Sequence, residues 1–600
     1  MQNSRILFLL ILLAALPALG LSSTRAVKPE ISEHLLNQAW KAVWVSAPDR
    51  DRTSYGVFHF RRRFELEGKP GKFIVHISAD NRYKLFVNGH EAGDGPARGD
   101  LEHWRFESYD LADRLRPGSN VIAAVVWNFD EHAPYAQMSH STAFLVQGNS
   151  EAEEVVNTGE HWKVFENKAY SPVRITRDRI PSFHVTGPGD RVDGNSYPWG
   201  WEKPAFDDSA WEQAEPITKS RAWPRGVRDG GGYWCLVPRM IPQMEKKIEG
   251  PFIVRRGPDQ FKAFLNKPWD EEPLTVPPGS KISLLLDKTH LTLAYPEFTV
   301  SGGAGSMISV TYAEAMFDDQ RQKHHRDKVE GMNIIGNYDE FLPDGEAERL
   351  FTTLWVRTYR YIQLDIETAD QALTIHPPAS RFAAYPFEQA AVFKSDDPSL
   401  EKIWEVGWRT ARLCAGETYF DCPYYEQLNY IGDTRIQALI SLYVTGDDRL
   451  MRKAIMQFDD SRIPDGLTQS RYPTRIIQII PPYSLFWIAM VYDHWMHCDD
   501  PEFVRSFLPG IRGVIEWFAG QVTENGLLGN LPWWNFVDWA DEYRSGVPPG
   551  AVDGENAVIS LQFVYVLQYA ARLSEAFGRQ CEADQYRALA DRVGRAVMDR

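Results

Sequence analysis

The sequence predicts a multidomain β + α protein, with β-sandwiches first and a toroid of helix pairs after them. Two observations predict this order. Up to about residue 390, short stretches alternate apolar and polar residues and are separated by turn signals. From about residue 395, apolar residues recur with the helical period of about 3.6 residues. At 600 residues the chain is long enough for about three to five domains.

The first β domain is expected over residues 40–150, as a jelly-roll-like sandwich of the accessory carbohydrate-binding type. Asn88-Gly89 follows a predicted strand and is a strong signal for a two-residue hairpin turn. Pro117-Gly118 turns into residues 121–127, which are apolar enough for a strand that is buried on both faces. Both signals favour antiparallel strands in this part of the chain.

Two further β regions are expected before the helices. Residues 151–250 are rich in loop signals and are predicted to be an accessory β region. Residues 251–390 are predicted to be a second β-sandwich, because strand patterns recur at residues 308–312 and 359–364.

Residues 395–600 are predicted to be the first part of a helical toroid. Short connectors of Gly, Asp and Pro separate most of the candidate helices, so antiparallel helix hairpins follow one another as in an (α/α)6 barrel. The candidate helices run over residues 398–413, 433–446, 448–458, 482–497, 501–522, 556–576 and 582–600. Seven helices do not close a ring of twelve, so we expect this chain to be the front part of a longer protein.

The N-terminus resembles a secretory signal over residues 1–26. Arg5 supplies the positive start, residues 6–16 the apolar run, and Ala18-Leu19-Gly20 a cleavage site. A periplasmic or secreted location is therefore expected. A retained N-terminal anchor is the alternative.

Charge and cysteine content narrow the function further. The net charge of −16 argues against nucleic acid or an anionic membrane as a partner. The five cysteines are scattered and show neither a disulfide framework nor the spacing of metal ligands. No cofactor and no metal are therefore expected.

The stretch with the most chemistry is residues 420–433, Phe-Asp-Cys-Pro-Tyr-Tyr-Glu-Gln-Leu-Asn-Tyr-Ile-Gly-Asp. It places three carboxylates and three tyrosines between two helical segments, and Pro423 and Gly432 are expected to break helix at its ends. Glycoside hydrolysis needs such a set. One acid stays protonated in an apolar setting, other carboxylates bind hydroxyls, and flat rings stack on sugar faces.

Two of these carboxylates also have structural alternatives. Asp421 can close an Asx turn before Cys-Pro. Asp433 can cap a helix that begins near Thr434. Glu426, within a Tyr-Tyr-Glu run, has no obvious structural task, which makes it the strongest functional candidate of the three.

With this loop in place, the order of signal, sandwiches and toroid resembles the α-L-rhamnosidases of glycoside hydrolase family 78. The motif Asp-Cys-Pro-x-Arg-Glu-Arg-x-x-Trp-x-Gly-Asp opens the catalytic (α/α)6 barrel of that family. Residues 421–433 keep its spacing, both aspartates, Cys-Pro, the glutamate and Gly-Asp. The resemblance covers roughly residue 40 to the end, and only this motif is specific.

The resemblance implies a role for each matching residue. Glu426 falls on the general acid of the family, and Asp421 and Asp433 would hold the rhamnose hydroxyls. A second family feature, an Asp-Trp pair on a barrel loop, is similar to Asp538-Trp539. Asp538 would bind the sugar and Trp539 would pack on its apolar face, with barrel lining without a ligand as the alternative for the tryptophan.

The chain departs from the motif at three positions. Tyr425 and Gln427 stand where the family has arginines, and Tyr430 stands where it has tryptophan. We expect Tyr425 and Tyr430 to contact the substrate. Loss of an arginine beside the acid should help to keep Glu426 protonated, while removing a donor for a sugar hydroxyl.

The family inverts configuration, so a second carboxylate should deprotonate a water on the opposite sugar face. In family members this base is a glutamate on a later barrel element, and its match is expected beyond Arg600. Glu542 and Glu555 are the weaker candidates within the chain.

The sequence thus predicts an exported, inverting α-L-rhamnosidase-like hydrolase that acts on terminal rhamnosyl residues of glycans or glycosides. A toroidal glycosidase with another sugar specificity is the nearest alternative. A glycan-binding protein without catalysis and a surface scaffold protein are the alternatives from other classes.

Overall fold

The computed structural model describes residues 29–222, 233–552 and 554–599. The predicted secretory signal, residues 1–26, lies outside these residues. Within the described ranges, no helix has both the length and the apolar character that crossing a membrane requires.

The strands up to residue 240 are β1 (Ala39–Ser46), β2 (Gly56–Leu66), β3 (Ile74–Asp80), β4 (Arg82–Val87), β5 (His90–Gly95), β6 (Trp104–Asp110), β7 (Gly118–Asn128), β8 (Ala143–Gly148), β9 (Lys163–Glu166), β10 (Tyr170–Val173), β11 (Gly189–Asp193), β12 (Glu212–Gln213), β13 (Glu215–Arg221) and β14 (Leu236–Pro238). Among the described residues, short 3₁₀ helices run over Ala112–Arg114, Asp130–His132, Glu151–Val156 and Asp259–Phe264.

Two six-stranded sheets form the first sandwich. Their orders are β13-β1-β8-β3-β6-β14 and β12-β9-β2-β7-β4-β5. They bury one apolar core, in which Val45, Phe60 and Phe144 are almost inaccessible. The predicted hairpin is present, because Asn88 and Gly89 join β4 to β5 with φ angles of 51° and 89°. The sandwich predicted for the first part of the chain is confirmed.

The loop-rich stretch, residues 151–250, is shared between the two β parts. Its strands β9, β12, β13 and β14 extend the first sandwich. Its hairpin β10–β11 joins the second β part instead, where Arg191 lies opposite Glu340 in a parallel pair. The described residues of this stretch thus belong to sheets on either side of it.

The strands of the second β part are β15 (Glu245–Glu249), β16 (Phe252–Arg256), β17 (Pro268–Trp269), β18 (Leu274–Val276), β19 (Lys281–Gly302), β20 (Met307–Ala313), β21 (Tyr338–Leu342), β22 (Arg349–Thr352), β23 (Arg357–Glu367), β24 (Leu373–Ile375) and β25 (Ala379–Ala384). With β10 and β11 they form one thirteen-stranded sheet. The long strand β19 pairs along its length with β16, β23, β25, β22 and β24, and so links both faces of this part around a common core.

The helices are α1 (Glu33–Asn37), α2 (Pro398–Leu413), α3 (Ile431–Thr445), α4 (Arg449–Asp460), α5 (Pro481–His497), α6 (Pro501–Arg505), α7 (Leu508–Ala519), α8 (Ala557–Ala576) and α9 (Gln580–Met598). Local signals explain several ends. Asp397 and Asn556 cap α2 and α8 by accepting backbone N–H bonds from Ser399 and Ile559. Gly446, at a φ of 71°, ends α3.

The helix predicted over residues 501–522 is in fact two helices, α6 and α7. Pro509 lies in the first turn of α7. In one continuous helix its ring would clash with the carbonyl of residue 505, so the chain breaks and starts a new helix.

The helices of the helical part pack against one another in pairs. α3, α5 and α8 lie side by side, α4 packs on α3 and α5, and α7 and α9 pack on α8. One apolar core joins these helices. This is the packing of a toroid of helix hairpins, and it confirms the predicted β + α fold class.

Candidate active site

A cavity of about 580 Å³ opens where the loops of the helical part meet the β parts. Six of the predicted site residues line it, namely Asp421, Glu426, Tyr430, Asp433, Asp538 and Trp539. They come from residues 421–433 and residues 538–539, about a hundred residues apart, so the fold brings both predicted clusters together.

The loop that carries Glu426 closes on itself through its first residue. The backbone N–H of Asp421 donates to the carbonyl of Leu428 at 2.8 Å, and Leu428 N–H donates to Asp421 Oδ1 at 2.9 Å. Gln427 completes the turn at a φ of 54°. The Asx-turn alternative for Asp421 is therefore wrong, because its carboxylate binds seven residues further on.

Asp433 does not cap a helix. α3 already begins at Ile431, with Tyr430 at the N-cap position, so Asp433 lies inside the first turn and its carboxyl lines the cavity. Gly432 likewise lies within the helix and does not break it. A Cβ at Gly432 would lie 3.0 Å from the ring of Tyr483, so glycine lets that ring approach the cavity wall.

The carboxyls of Asp421 and Glu426 favour holding a proton. Burial raises the pKa of both, and the pKa of Asp421 is raised further by the neighbouring Glu426. The pKa of Glu426 is lowered in part by a hydrogen bond from Tyr430 and by the charge of Arg471, while Asp433 raises it. Burial, and then Asp538, also raise the pKa of Asp433. A buried acid that keeps its proton is what proton donation to a leaving group requires.

Tyr430 and Arg471 form a chain of hydrogen bonds to the acid. The Tyr430 hydroxyl donates to Glu426 Oε2 at 3.2 Å, and it accepts from Arg471 Nη1 at 2.6 Å. The Arg471 side chain is almost fully buried. Of the three motif departures, only Tyr430 lines the cavity.

The second wall comes from residues 531–547, between α7 and α8. Trp534, Phe536, Asp538 and Trp539 line the cavity from this loop. Trp539 N–H donates to Asp538 Oδ1 at 2.7 Å, and the Trp539 side chain is 71% exposed. An exposed indole beside a carboxylate is a suitable surface for a sugar, which offers both an apolar face and hydroxyls.

Three predicted residues lie outside the cavity. Tyr425, expected to contact substrate, instead packs its ring on Tyr424 and accepts a hydrogen bond from Lys323 Nζ at 2.8 Å. Its prediction is corrected, because the backbone turns its side chain toward the second β part. Glu542 is exposed, and Glu555 accepts from Asn525, so neither possible base lines the cavity.

Several lining residues were not predicted from the sequence. Tyr135 and Phe183 reach the cavity from the β parts, and Arg471, Gln478 and Tyr483 reach it from the helical part. One sequence signal was available for part of this set. Residues 461–480 form a long connector among short ones, and such loops usually carry function.

A cation could bind at one place in this cavity. Ligand atoms of Asp421, Cys422 and Glu426 lie within 4.8 Å of one another. Burial and then Asp421 raise the pKa of Cys422 well above its usual range, however, so the thiol keeps its proton. A neutral thiol beside two carboxyl groups whose pKa is raised is a poor donor set for a metal ion.

Residues of both β parts donate hydrogen bonds to the loop that carries Glu426. Arg98 Nη1 donates to the Gln427 carbonyl at 2.7 Å, and Trp355 Nε1 donates to Gln427 Oε1 at 2.9 Å. Thr358 Oγ1 donates to the Pro423 carbonyl at 2.6 Å. Gln427 therefore sits under the loop and away from the cavity.

A buried ion pair joins the first sandwich to the segment that precedes this loop. The Arg82 guanidinium donates two hydrogen bonds to the Glu417 carboxylate, at 2.9 and 2.5 Å, and Arg98 N–H adds a third at 3.1 Å. The Arg82 guanidinium also lies 4.3 Å from the centre of the Trp355 ring. The first sandwich, the second β part and the helical part thus meet at the segment that precedes the Glu426 loop.

Comparison with known proteins agrees with this architecture. The family model for the bacterial α-L-rhamnosidase six-hairpin glycosidase domain matches residues 388–600. The model for the α-L-rhamnosidase N-terminal domain matches residues 68–227.

Individual relatives are distant in sequence. An α-L-rhamnosidase of Streptomyces avermitilis is 20% identical over 557 residues, which cover 89% of this chain and 48% of the relative. The GH78 rhamnosidase structure of Bacillus sp. GL1 has a TM-score of 0.80 at 18% identity, over 94% of this chain and 77% of that one. The S. avermitilis enzyme, solved with L-rhamnose, has a TM-score of 0.66 at 17% identity, over 91% and 49%.

This chain therefore spans about half the length of the curated relative that it matches. The likeness to the solved structures is one of fold. Two regions of the chain thus match models of α-L-rhamnosidase domains, residues 68–227 the N-terminal domain and residues 388–600 the six-hairpin glycosidase domain, in the same order as the β and helical parts of the fold.

Proposed function

We propose that this protein hydrolyses terminal α-L-rhamnosyl linkages, with Glu426 as the general acid. The observation that carries the proposal is the carboxyl pair of Asp421 and Glu426 in a cavity with aromatic walls. Burial raises the pKa of both carboxyl groups, which favours their protonated forms and so the donation of a proton to the glycosidic oxygen.

The other cavity residues suit a single sugar ring. Asp538 lies close enough to raise the pKa of Asp433, and both carboxyl groups can accept hydrogen bonds from hydroxyls. The indole of Trp539 offers a face for the apolar side of the sugar. Rhamnose is a 6-deoxy sugar, and its C6 methyl group adds apolar surface. We assign these three residues to sugar binding.

The motif departures bear on which sugar is bound. Two of them lie outside the cavity, because Tyr425 faces Lys323 and Gln427 is held by Trp355. Only Tyr430, in place of the tryptophan, can touch a sugar. This placement supports rhamnose over another sugar, and a panel of aryl glycosides tests it. Faster cleavage of a different glycoside would contradict the proposal.

Inversion requires a second carboxylate about 6.5–9.5 Å from the acid, with a water between it and the sugar. We assign this role neither to Glu542 nor to Glu555, which lie outside the cavity. Proton NMR of the first product checks the stereochemistry. Inversion of an α-L-rhamnoside releases β-L-rhamnose first, whereas retention would release the α-anomer.

The central experiment measures phenol release from p-nitrophenyl α-L-rhamnoside. Glu426→Gln should lower kcat by about 10²–10⁴-fold, because the amide cannot give a proton to the leaving group. Glu516→Gln, an exposed position on α7, is the matched control and should keep wild-type activity. Normal turnover by Glu426→Gln, with the thermal midpoint unchanged, would refute the assignment.

One observation favours a second candidate, a glycan-binding protein that does not cleave. Neither in-chain glutamate proposed as the base faces the cavity. Isothermal titration with L-rhamnose, run beside the turnover assay, separates the two candidates. Heat of binding with no product from the wild-type chain would favour the binder.

We also propose that the protein is exported to the periplasm or the medium, on the basis of the predicted signal over residues 1–26. Cell fractionation followed by N-terminal sequencing tests this. A mature form that begins near residue 21 is expected, and an uncut cytoplasmic form would contradict export.

A further inference from the structure

The hydroxyl of Tyr430 gives this position a chemistry that the motif's tryptophan lacks. An indole has one N–H donor and no acceptor, whereas a phenol can donate and accept at the same atom. Tyr430 does both, since it accepts from Arg471 Nη1 and donates to Glu426 Oε2. The hydrogen bonds therefore run in one direction, from a cation through a phenol to the acid.

Arg471 is held firmly in this arrangement. Its backbone forms an isolated β-bridge with Tyr430. On either side of it, the carbonyl of Ser470 accepts from Ile431 N–H at 3.0 Å and that of Tyr472 accepts from Asn429 Nδ2 at 2.8 Å. The position opposite Tyr430 is thus set by the backbone, before any substrate binds.

Aromatic rings fix the guanidinium as well. It lies 5.6 Å from the centre of the Tyr135 ring and 5.4 Å from that of Tyr430. Such cation–π contacts gain strength when the cation is desolvated, and Arg471 is 3% exposed. Tyr135 belongs to the first sandwich, so a β part takes part in holding this cation.

The charges around Glu426 make this cation distinctive. Asp421 and Cys422 face the acid from its own loop, and Asp433 faces it from α3. Asp538, on the second loop, acts on the acid's neighbour Asp433. Among the described residues that line the cavity, Arg471 is the one lysine or arginine.

We propose that Arg471, acting through Tyr430, is the positioning residue that orients the Glu426 carboxyl and stabilises the carboxylate left after proton transfer. This inference rests on the proposed function of Glu426 as the acid. The chain has no arginine at positions 425 and 427, so the guanidinium beside the acid comes from a different loop.

The chemical step balances with this assignment. The Glu426 O–H proton passes to the glycosidic oxygen as the bond from that oxygen to the anomeric carbon breaks, and the bonding electron pair leaves with the oxygen. A water oxygen bonds to the anomeric carbon from the opposite face and gives its proton to the second carboxylate that inversion requires. Glu426 is then an anion. The Tyr430 O–H bond and the Arg471 charge both favour that anion, so they assist most when the proton has moved.

The test compares pH profiles of kcat/KM for aryl rhamnoside hydrolysis. Arg471→Met removes a charge that favours ionised Glu426, so the pKa of the acid should rise. The alkaline limb should then move up by roughly 0.5–1 pH unit. We also expect kcat to fall about tenfold or more, because the carboxyl is less well oriented.

Three further variants make this test specific. Tyr430→Phe should move the alkaline limb in the same direction as Arg471→Met. In the Tyr430→Phe background, Arg471→Met should shift the alkaline limb by less than half as much as it does alone. The Tyr430 hydroxyl that links Arg471 to Glu426 is already absent there. Arg471→Lys should restore part of the loss. The control Arg475→Met removes a cation that binds the carbonyls of Asp130 and Glu131, and should leave the limb in place.

A second readout does not depend on turnover. In protein labelled with ¹³C at the glutamate carboxyl carbon, the signal that Glu426→Gln deletes reports the titration of Glu426. Arg471→Met should raise the midpoint of that titration. This measurement distinguishes the two proposals, because it applies even if the wild-type chain releases no phenol.

The inference is overturned if Arg471→Met raises KM alone and leaves both the pH limb and the Glu426 titration unchanged. That result would make Arg471 a simple substrate contact. Additive effects of Arg471→Met and Tyr430→Phe would equally contradict action through the tyrosine. If the methionine variant does not fold, Arg471→Lys and Tyr430→Phe still decide the question.

Discussion

The two loops that supply the cavity's carboxylates differ in how they are held. Residues 421–430 receive hydrogen bonds from Arg98, Trp355 and Thr358, on three strands or loops outside the helical part. In residues 531–547, the hydrogen bonds among described residues join members of the same loop, such as Trp534 Nε1 to the Ser545 carbonyl at 3.1 Å. The first loop thus receives hydrogen bonds from both β parts, whereas the second is hydrogen-bonded within itself and packs Leu531 and Phe536 into the core of the helical part.

Exposure follows the same division. Gln427 is 2% exposed, whereas Trp539 is 71% exposed. Exposed segments with few outside contacts open at low free energy, and buried segments open only with the global fold. The loop that carries Glu426 is thus expected to stay in place, while exposed side chains of residues 531–547 such as Trp539 can move more freely. Each variant below tests how one of these two loops is held in place.

The largest expected effect is on stability, from Arg82→Met. Removing the guanidinium leaves the Glu417 carboxylate buried without its main partner, which costs about 3–5 kcal/mol in comparable cases. Denaturant unfolding followed by tryptophan fluorescence measures this loss. The control is Arg50→Met, which breaks an exposed pair with Glu166 and should cost less than about 1 kcal/mol. Equal losses in both variants would show that the buried pair is no brace.

The same ion pair predicts how stability depends on pH. Burial acts to raise the pKa of Glu417, but Arg82, by its charge and hydrogen bonds, overcomes this and the pKa is held at about 2. Because the folded-state pKa is below the unfolded value of 4.5, the stabilisation is complete above about pH 4.5 and is lost as pH falls toward 2. Unfolding midpoints between pH 2 and 6 should show this decline in the wild type and a smaller one in Arg82→Met.

A middle-sized effect on activity is expected from Gly546→Ala. The glycine has a φ of +73°, and an added Cβ would lie 2.2 Å from the Phe536 ring, so residues 531–547 must shift. A shift of about 1 Å can cost 10²-fold in rate, while the thermal midpoint should fall less than in Arg82→Met. Gly578→Ala has a similar φ of +74° with nothing within 4 Å, and it controls for the backbone cost alone. If Gly546→Ala unfolded the whole protein, a shift of residues 531–547 would not be local, contrary to this prediction.

The smallest effect is expected from Trp539→Ala. Its exposed side chain contributes little to folding, but losing a stacking face should raise KM by up to about fivefold, or about 1 kcal/mol, at unchanged kcat. Trp533→Ala removes a neighbouring exposed indole that does not line the cavity, and KM should stay at the wild-type value. If both variants behaved alike, Trp539 would be ordinary loop surface.

The contrast also explains what the sequence could predict. The residues of 421–433 are close along the chain, so their spacing alone identified Asp421, Glu426 and Asp433. All three line the cavity, as expected for a shared site. Helix ends were predicted well where local signals act, as at Asp397 before α2. The break between α6 and α7 was missed, because apolar periodicity continues across residues 506–507, where one helix ends and the next begins.

Site residues that lie far from the 421–433 motif along the chain could not be predicted from its spacing. Tyr135, Phe183 and Arg471 join the site only because three parts of the fold meet there, and no local period marks them. The side chain of Tyr425 was placed wrongly for a related reason. Whether a loop residue faces the cavity depends on the turn at Gln427 and on the partner Lys323, a hundred residues away.

The brace under Glu426 has a consequence for how such chains can be recombined. A gene fusion that kept only the helical half would expose the Glu417 carboxylate and the Gln427 amide, whose partners Arg82, Arg98 and Trp355 lie in the β half. The β half therefore cannot be removed without also removing the buried partners of the segment that carries Glu417 and Glu426. Both halves must be inherited together for the Glu426 loop to keep these buried hydrogen-bond partners.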